Sequence, residues 1–198
     1  MPRLFAALEL PENAREQLCA LETPLPGARW MEEDEFHLTL RFAGDIDNRQ
    51  ARDFADALAS IVRDVFELRI AGLGVFGGNE PRTLWAGVEP SPELGQLARD
   101  CERAARQAGL PPETRVYKPH VTLARLRYSR VDAVARFLEH KGAFRLEPFV
   151  VERMVLLSAR PQLGGGPYVV EEAFPLRGAM LDYGTEDDAA DMADDSWR

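Results

Sequence analysis

Two short stretches of the chain carry the same pattern, His37-Leu38-Thr39-Leu40 and His120-Val121-Thr122-Leu123. On a β-strand alternate side chains share a face, so each histidine points with its threonine and the apolar pair points the other way. The polar face then offers an imidazole and a hydroxyl about 6.5–7 Å apart along the chain. Two such faces meeting across a cleft suit the cleavage of a phosphoester. One neutral imidazole takes a proton from the attacking oxygen, and the other, protonated, gives one to the leaving oxygen. An unperturbed pKa of about 6.5 fits histidine for both tasks, each worth roughly 10²–10⁴-fold. The threonines can donate hydrogen bonds to the non-bridging oxygens, where charge builds in the transition state. A strained cyclic phosphate makes such chemistry plausible without a metal. The chain has three histidines. The third, His140, ends a short helical run, Leu138 to Gly142, where the helix C-terminus accounts for it.

The elements that must position these residues are read from an internal repeat. Leu4-Phe5-Ala6-Ala7-Leu8-Glu9 matches Leu84-Trp85-Ala86-Gly87-Val88-Glu89 at an offset of 80, and the two histidine motifs match at an offset of 83. Each first segment is followed by a proline-containing helix start, Leu10-Pro11-Glu12 and Pro90-Ser91-Pro92-Glu93, suited to a first helical turn. The spacing predicts helices over 12–22, 48–62, 92–108 and 131–139. It predicts strands over 66–75, 149–157 and 168–174, and a glycine-rich turn at 161–167. Short strands mixed with helices, without regular βαβ alternation, give an α+β fold with antiparallel sheets and flanking helices. The repeat makes it bilobal and pseudo-two-fold. Residues 1–177 are expected to form one domain of two interleaved lobes with a central groove, and residues 178–198 an acidic, disordered tail.

Composition narrows the classes. No apolar run approaches the roughly 20 residues that cross a bilayer, and the start of the chain does not read as a signal peptide. A cytoplasmic, monomeric protein is expected. The formal charge of −9 is concentrated in the tail, where Asp182, Glu186, Asp187, Asp188, Asp191, Asp194 and Asp195 face Arg198 alone. The body is nearly neutral and rich in arginine. It can hold one phosphate but lacks the broad basic surface of a duplex binder. Cys19 and Cys101 read as buried apolar residues, and they and the histidines do not readily make a metal site. Gly164-Gly165-Gly166 lacks the lysine and hydroxyl residue of a phosphate loop and opens no helix.

With these residues in place the chain resembles the two-histidine (2H) phosphoesterases, and more closely the RNA 2′,3′-cyclic phosphodiesterases also described as LigT-like 2′–5′ RNA ligases. The resemblance runs over about residues 3–176. It is carried by Arg3-Leu4-Phe5-Ala6-Ala7, Arg29-Trp30, both histidine motifs with Arg41-Phe42 and Ala124-Arg125, Arg82 to Gly87, Ser158 onward to Tyr168, and Phe174-Pro175-Leu176. It implies hydrolysis of RNA 2′,3′-cyclic phosphate ends to 2′-phosphates with no metal or cofactor, and 2′–5′ ligation as the reverse reaction. It implies His37 as proton donor and His120 as proton acceptor, roles that near-symmetry leaves interchangeable on the residues alone, with Thr39 and Thr122 on the phosphate. Arg125, close behind the second motif, is expected to pair with the phosphate, and Arg41 shares the strand parity of His37 and Thr39. Phe42, Trp30 and Tyr117 are candidates to stack on a base, with core packing as the alternative expected more often for each. Lys118 is a candidate to touch a phosphate, with a solvated lysine as the alternative. Two other readings stand beside this one: a cyclic phosphodiesterase for small nucleotides or ADP-ribose cyclic phosphate, and a non-catalytic module that binds RNA ends or nucleotides.

Overall fold

The structure is a computed structural model that describes residues 3–159 and 168–179. Ten strands and four helices follow in the order β1 Arg3–Glu9, α1 Glu12–Cys19, β2 Ala28–Trp30, β3 His37–Asp45, α2 Asn48–Ala59, β4 Phe66–Leu68, β5 Ile70–Phe76, β6 Thr83–Val88, α3 Pro92–Gln107, β7 His120–Leu126, α4 Val131–Lys141, β8 Phe149–Val151, β9 Arg153–Ala159 and β10 Tyr168–Pro175. This is an α+β fold whose paired strands are all antiparallel. Helix starts follow local chemistry. Asp47 accepts from the Arg49 and Gln50 amides at the head of α2, and Ser91 accepts from Leu94 ahead of Pro92 at the head of α3. Both satisfy N–H groups that a helix start leaves without partners.

The sheet order is β10-β9-β1-β3-β7-β6-β5, with β2 on the edge of β7. The repeat is visible in it. β1 and β6 are the matched first strands, and β3 and β7 the matched histidine strands. Between β3 and β7 a single pairing, Leu38 with Val121, joins the two halves. A late strand of each half crosses to the other: β5 pairs with β6, and β9, itself flanked by β10, pairs with β1. The runs expected as single strands at 66–75 and 149–157 are therefore each broken. β4 and β8 pair with each other in a separate two-stranded sheet before the chain moves on to β5 and β9.

One continuous apolar core fills the helix side. Leu4, Ala6 and Leu8 of β1, Leu38 and Leu40 of β3, and Val121 and Leu123 of β7 point into it, against Leu94, Leu97 and Cys101 of α3 and Phe54 and Leu58 of α2. The opposite face of β1 and β9 carries a small second cluster of Phe5, Ala7, Val155 and Leu157, with Tyr168 against it. This apolar wall lies on the face of the sheet that bears the histidines. Among the described residues no helix is long and apolar enough to cross a membrane. The glycine-rich turn at 161–167 and most of the acidic tail lie outside the described residues.

Candidate active site

The Leu38–Val121 pairing sets the site. Both side chains are buried in the core, so their neighbours His37, Thr39, His120 and Thr122 emerge on the opposite face. In this antiparallel register His37 is set toward Thr122, and Thr39 toward His120. The structure thus brings the four motif residues onto one surface at the junction of the two halves.

The two imidazoles are held alike. Nδ1 of His37 lies 2.8 Å from the carbonyl oxygen of Glu35, and Nδ1 of His120 lies 2.6 Å from that of Lys118. A carbonyl only accepts, so each Nδ1 carries the hydrogen, and each Nε2 is the nitrogen free to take or give a proton. Aromatic rings fix the ring planes. His37 sits 4.9 Å from Phe5 and 4.7 Å from Tyr168. His120 sits 4.9 Å from Phe76 and 6.2 Å from Trp85. Phe5 and Trp85 are matched positions of the repeat, whereas Tyr168 and Phe76 come from other strands.

The surroundings of the two histidines differ. Burial against the apolar wall pulls His37 down to a pKa of about 4, and the positive charges of Arg125 and His120 pull in the same direction. His120 is lowered as well, first by burial and then by Arg125. On the His37 side a 3-10 turn, Glu33–Glu35, is closed by a reciprocal cap between Glu32 and Glu35. The buried Glu35 carboxylate accepts from the Glu32 amide at 2.8 Å and pairs with Arg29 at 3.4 Å. Lys118, by contrast, is exposed, with its ammonium 5.8 Å from the Phe76 ring.

The two arginines behave differently from one another. Each motif ends in a β-bulge: Ala6 and Ala7 of β1 pair with Arg41 and Thr39, skipping Leu40, and Leu84 and Trp85 of β6 pair with Ala124 and Thr122, skipping Leu123. A bulge puts two successive side chains on one face. Leu40 with Arg41, and Leu123 with Ala124, all turn inward and are buried. The expectation from strand parity that Arg41 faces the groove is therefore corrected. Its guanidinium pairs with Glu102 and donates to the carbonyls of Phe42 and, at 2.5 Å, of Pro111. The same shift sends Phe42 and Arg125, one residue later, to the histidine face. Arg125 is anchored at 3.2 Å on Thr83 Oγ1, and Phe42 is 43% exposed with its ring 6.3 Å from Phe5. Trp30 packs on Phe137, with ring centroids 5.7 Å apart. The Tyr117 hydroxyl donates to the Thr39 carbonyl at 3.2 Å. His140 is exposed in the last turn of α4.

Sequence reasoning did not single out Phe5, Phe76, Trp85 and Tyr168 as site residues. For Phe5 and Trp85 the signal was present, since the repeat matches them. Tyr168 and Phe76 reach the site through pairings made far along the chain.

The comparisons with known proteins follow the same lines. The family model described as 2′-5′ RNA ligase superfamily matches residues 10–161. The chain is 31% identical over 155 residues to the RNA 2′,3′-cyclic phosphodiesterase of Aquifex aeolicus, covering 76% of this chain and 82% of that one. It is 36% identical to the protein of that name from Aeropyrum pernix and 32% to that from Geobacillus stearothermophilus, over 57% and 61% of this chain. There it spans only 65% and 41% of the relatives' own lengths. Among solved structures, E. coli LigT complexed with 3′-AMP superposes with a TM-score of 0.73 at 25% identity, over 89% of this chain and 99% of that one. A Thermus thermophilus protein superposes with a TM-score of 0.74 at 25% identity, over 89% and 98%. The chain is a LigT-like member of the 2′-5′ RNA ligase superfamily.

Proposed function

We propose that the chain hydrolyses RNA 2′,3′-cyclic phosphate ends to 2′-phosphates, with His37 and His120 as the acid–base pair. The observation that carries this reading is the matched tautomer of the two imidazoles: both Nδ1 atoms are tied to carbonyls and both Nε2 atoms are left for chemistry. A binding module has no need of two such nitrogens on one surface. The names of the curated relatives point to the same activity.

In the proposed reaction His120 Nε2 takes a proton from water as the water oxygen attacks phosphorus. The bond from phosphorus to the 3′ oxygen breaks, and His37 Nε2 gives its proton to that oxygen. The product is a 2′-phosphate beside a free 3′ hydroxyl. Thr39 and Thr122 donate to the non-bridging oxygens, and Arg125 neutralises the developing charge. When the attacking oxygen is the 5′ hydroxyl of another strand in place of water, His120 takes its proton, the same bond to the 3′ oxygen breaks, His37 protonates that oxygen, and the product is a 2′–5′ linkage beside a free 3′ hydroxyl. Burial makes His37 hold a proton less readily than an ordinary histidine, which runs against an acid role. The phosphate anion supplies the correction, since it offsets Arg125 and favours the imidazolium.

The test is to incubate the protein, in EDTA, with an oligonucleotide ending in a 2′,3′-cyclic phosphate and to identify the product end. A 2′-phosphate is expected. A 3′-phosphate, or no turnover, overturns the reading.

A further inference from the structure

We infer that the exposed tip formed by Arg127 and Tyr128, just beyond β7, is a stacking and phosphate-contact platform for the RNA strand leading to the terminal cyclic phosphate. The inference rests on the function proposed above and names the part of the substrate beyond the reacting nucleotide.

Beyond the Leu123 bulge the alternation resumes. Ala124 and Leu126 are buried, while Arg125 and Arg127 are exposed, which puts the two arginines on the histidine face roughly 6.6 Å apart. The Arg127 guanidinium lies 5.3 Å from the centre of the Tyr128 ring. Among the described residues Arg127 forms no ion pair. Tyr128 is 90% exposed, and its φ of 57° makes it the one described residue other than glycine with a positive value.

A tyrosine rarely adopts this left-handed conformation, and here the fold imposes it. The Arg127 amide donates to the Gly27 carbonyl at 2.8 Å, and the Ser129 hydroxyl donates to the Pro26 carbonyl at 2.9 Å. Gly27, itself at φ 80°, lies so close that a Cβ there would be 2.2 Å from the Arg127 carbonyl oxygen. The tip is thus clamped from both sides around a ring that is almost wholly exposed to water. Internal packing gives no reason for that ring. A large aromatic side chain carried into solvent on a clamped backbone, beside a guanidinium without an ion pair among the described residues, matches what single-stranded RNA uses: a π-face for any base and a cation for its phosphate.

Distance identifies which part of the RNA reaches it. Tyr128 is eight residues past His120, roughly 26 Å along the strand. A mononucleotide bound at the histidines stops short of it, whereas a stacked strand arrives after about seven or eight nucleotides, at about 3.4 Å each.

The test compares a nucleoside 2′,3′-cyclic phosphate with an RNA of about ten nucleotides carrying the same end, in the wild type, Tyr128→Asn, Tyr128→Trp and Arg127→Gln. Asparagine tolerates the left-handed backbone, so the fold is kept while the ring is lost. For Tyr128→Asn the KM on the long RNA should rise about five- to fifty-fold with kcat unchanged, and the mononucleotide should be turned over as by the wild type. Tyr128→Trp should retain wild-type behaviour, and Arg127→Gln should lessen the salt dependence of the long substrate by about one unit of slope. An unchanged KM on the long RNA, or an equal loss on both substrates, overturns the platform. Anisotropy with the same RNA ending in a non-cyclic phosphate separates the two proposals, because the activity fails on turnover and the platform on binding.

Discussion

Burial of a neutral His37 makes the stability of the folded chain depend on pH in a calculable way. His37 titrates at about 4 in the folded protein because the apolar wall disfavours its charged form, with Arg125 and His120 adding to the effect. In the unfolded chain it titrates near 6.5. Between those two values the unfolded chain binds a proton that the folded chain refuses, so stability falls as pH falls through that window. The full separation is worth about 3 kcal/mol, and about 2 kcal/mol of it is already lost at pH 5. The perturbation is His37→Asn, whose amide can still donate to the Glu35 carbonyl but does not titrate. Urea unfolding of wild type and variant at pH 7 and pH 5 isolates the contribution, since any packing lost by the variant is common to both pH values and cancels. The wild type should lose about 2 kcal/mol more than the variant between pH 7 and pH 5. Inorganic phosphate, by favouring the charged imidazole in the groove, should shrink that gap. Equal losses in the two proteins would refute the burial of a neutral His37, and so would a His37 titration midpoint near 6.5 by NMR.

Three further outcomes follow from the bulges and the aromatic flanks. Arg41→Ala leaves Glu102 without its partner and should cost roughly 2–4 kcal/mol of stability while the folded fraction keeps its kcat. Arg125→Ala should leave thermal unfolding nearly unchanged and lower kcat at least tenfold, and urea curves beside steady-state rates would expose the reverse pattern. Gly74→Ala places a Cβ 2.3 Å from the Trp85 ring, which must shift from its place beside His120. Activity should fall about tenfold or more with a shifted pH profile, and an unchanged profile would remove Trp85 from the positioning of His120.

The histidine–threonine motifs were legible because they are short, duplicated and dependent only on the period of a strand. The four helices were also legible, because each has its own apolar stripe, although α1 ends at Cys19 rather than extending to residue 22 and α2 at Ala59 rather than residue 62. What failed depends on partners. Arg41 kept the parity of His37 in the sequence and lost it in the fold, because the bulge at Leu40 is a property of the pairing with β1. The breaks at Arg69 and Glu152 are of the same kind. The apolar pattern runs across both positions, and only the exchange of strands between halves shows where one sheet stops and the other begins. Tyr168 beside His37 and Phe76 beside His120 were hidden for the same reason. Trp30 agrees with the alternative the sequence left open for it, packing its ring against Phe137.

The paired histidines are tested most directly by turnover of a 2′,3′-cyclic phosphate RNA in EDTA by the wild type, His37→Ala, His120→Ala and the double variant. Acting as one acid–base unit, each histidine should cost at least 10²-fold in kcat when removed, and the double variant should be little slower than the slower single one. A single variant retaining more than about a tenth of wild-type kcat would contradict the pair, as would two losses that simply multiply.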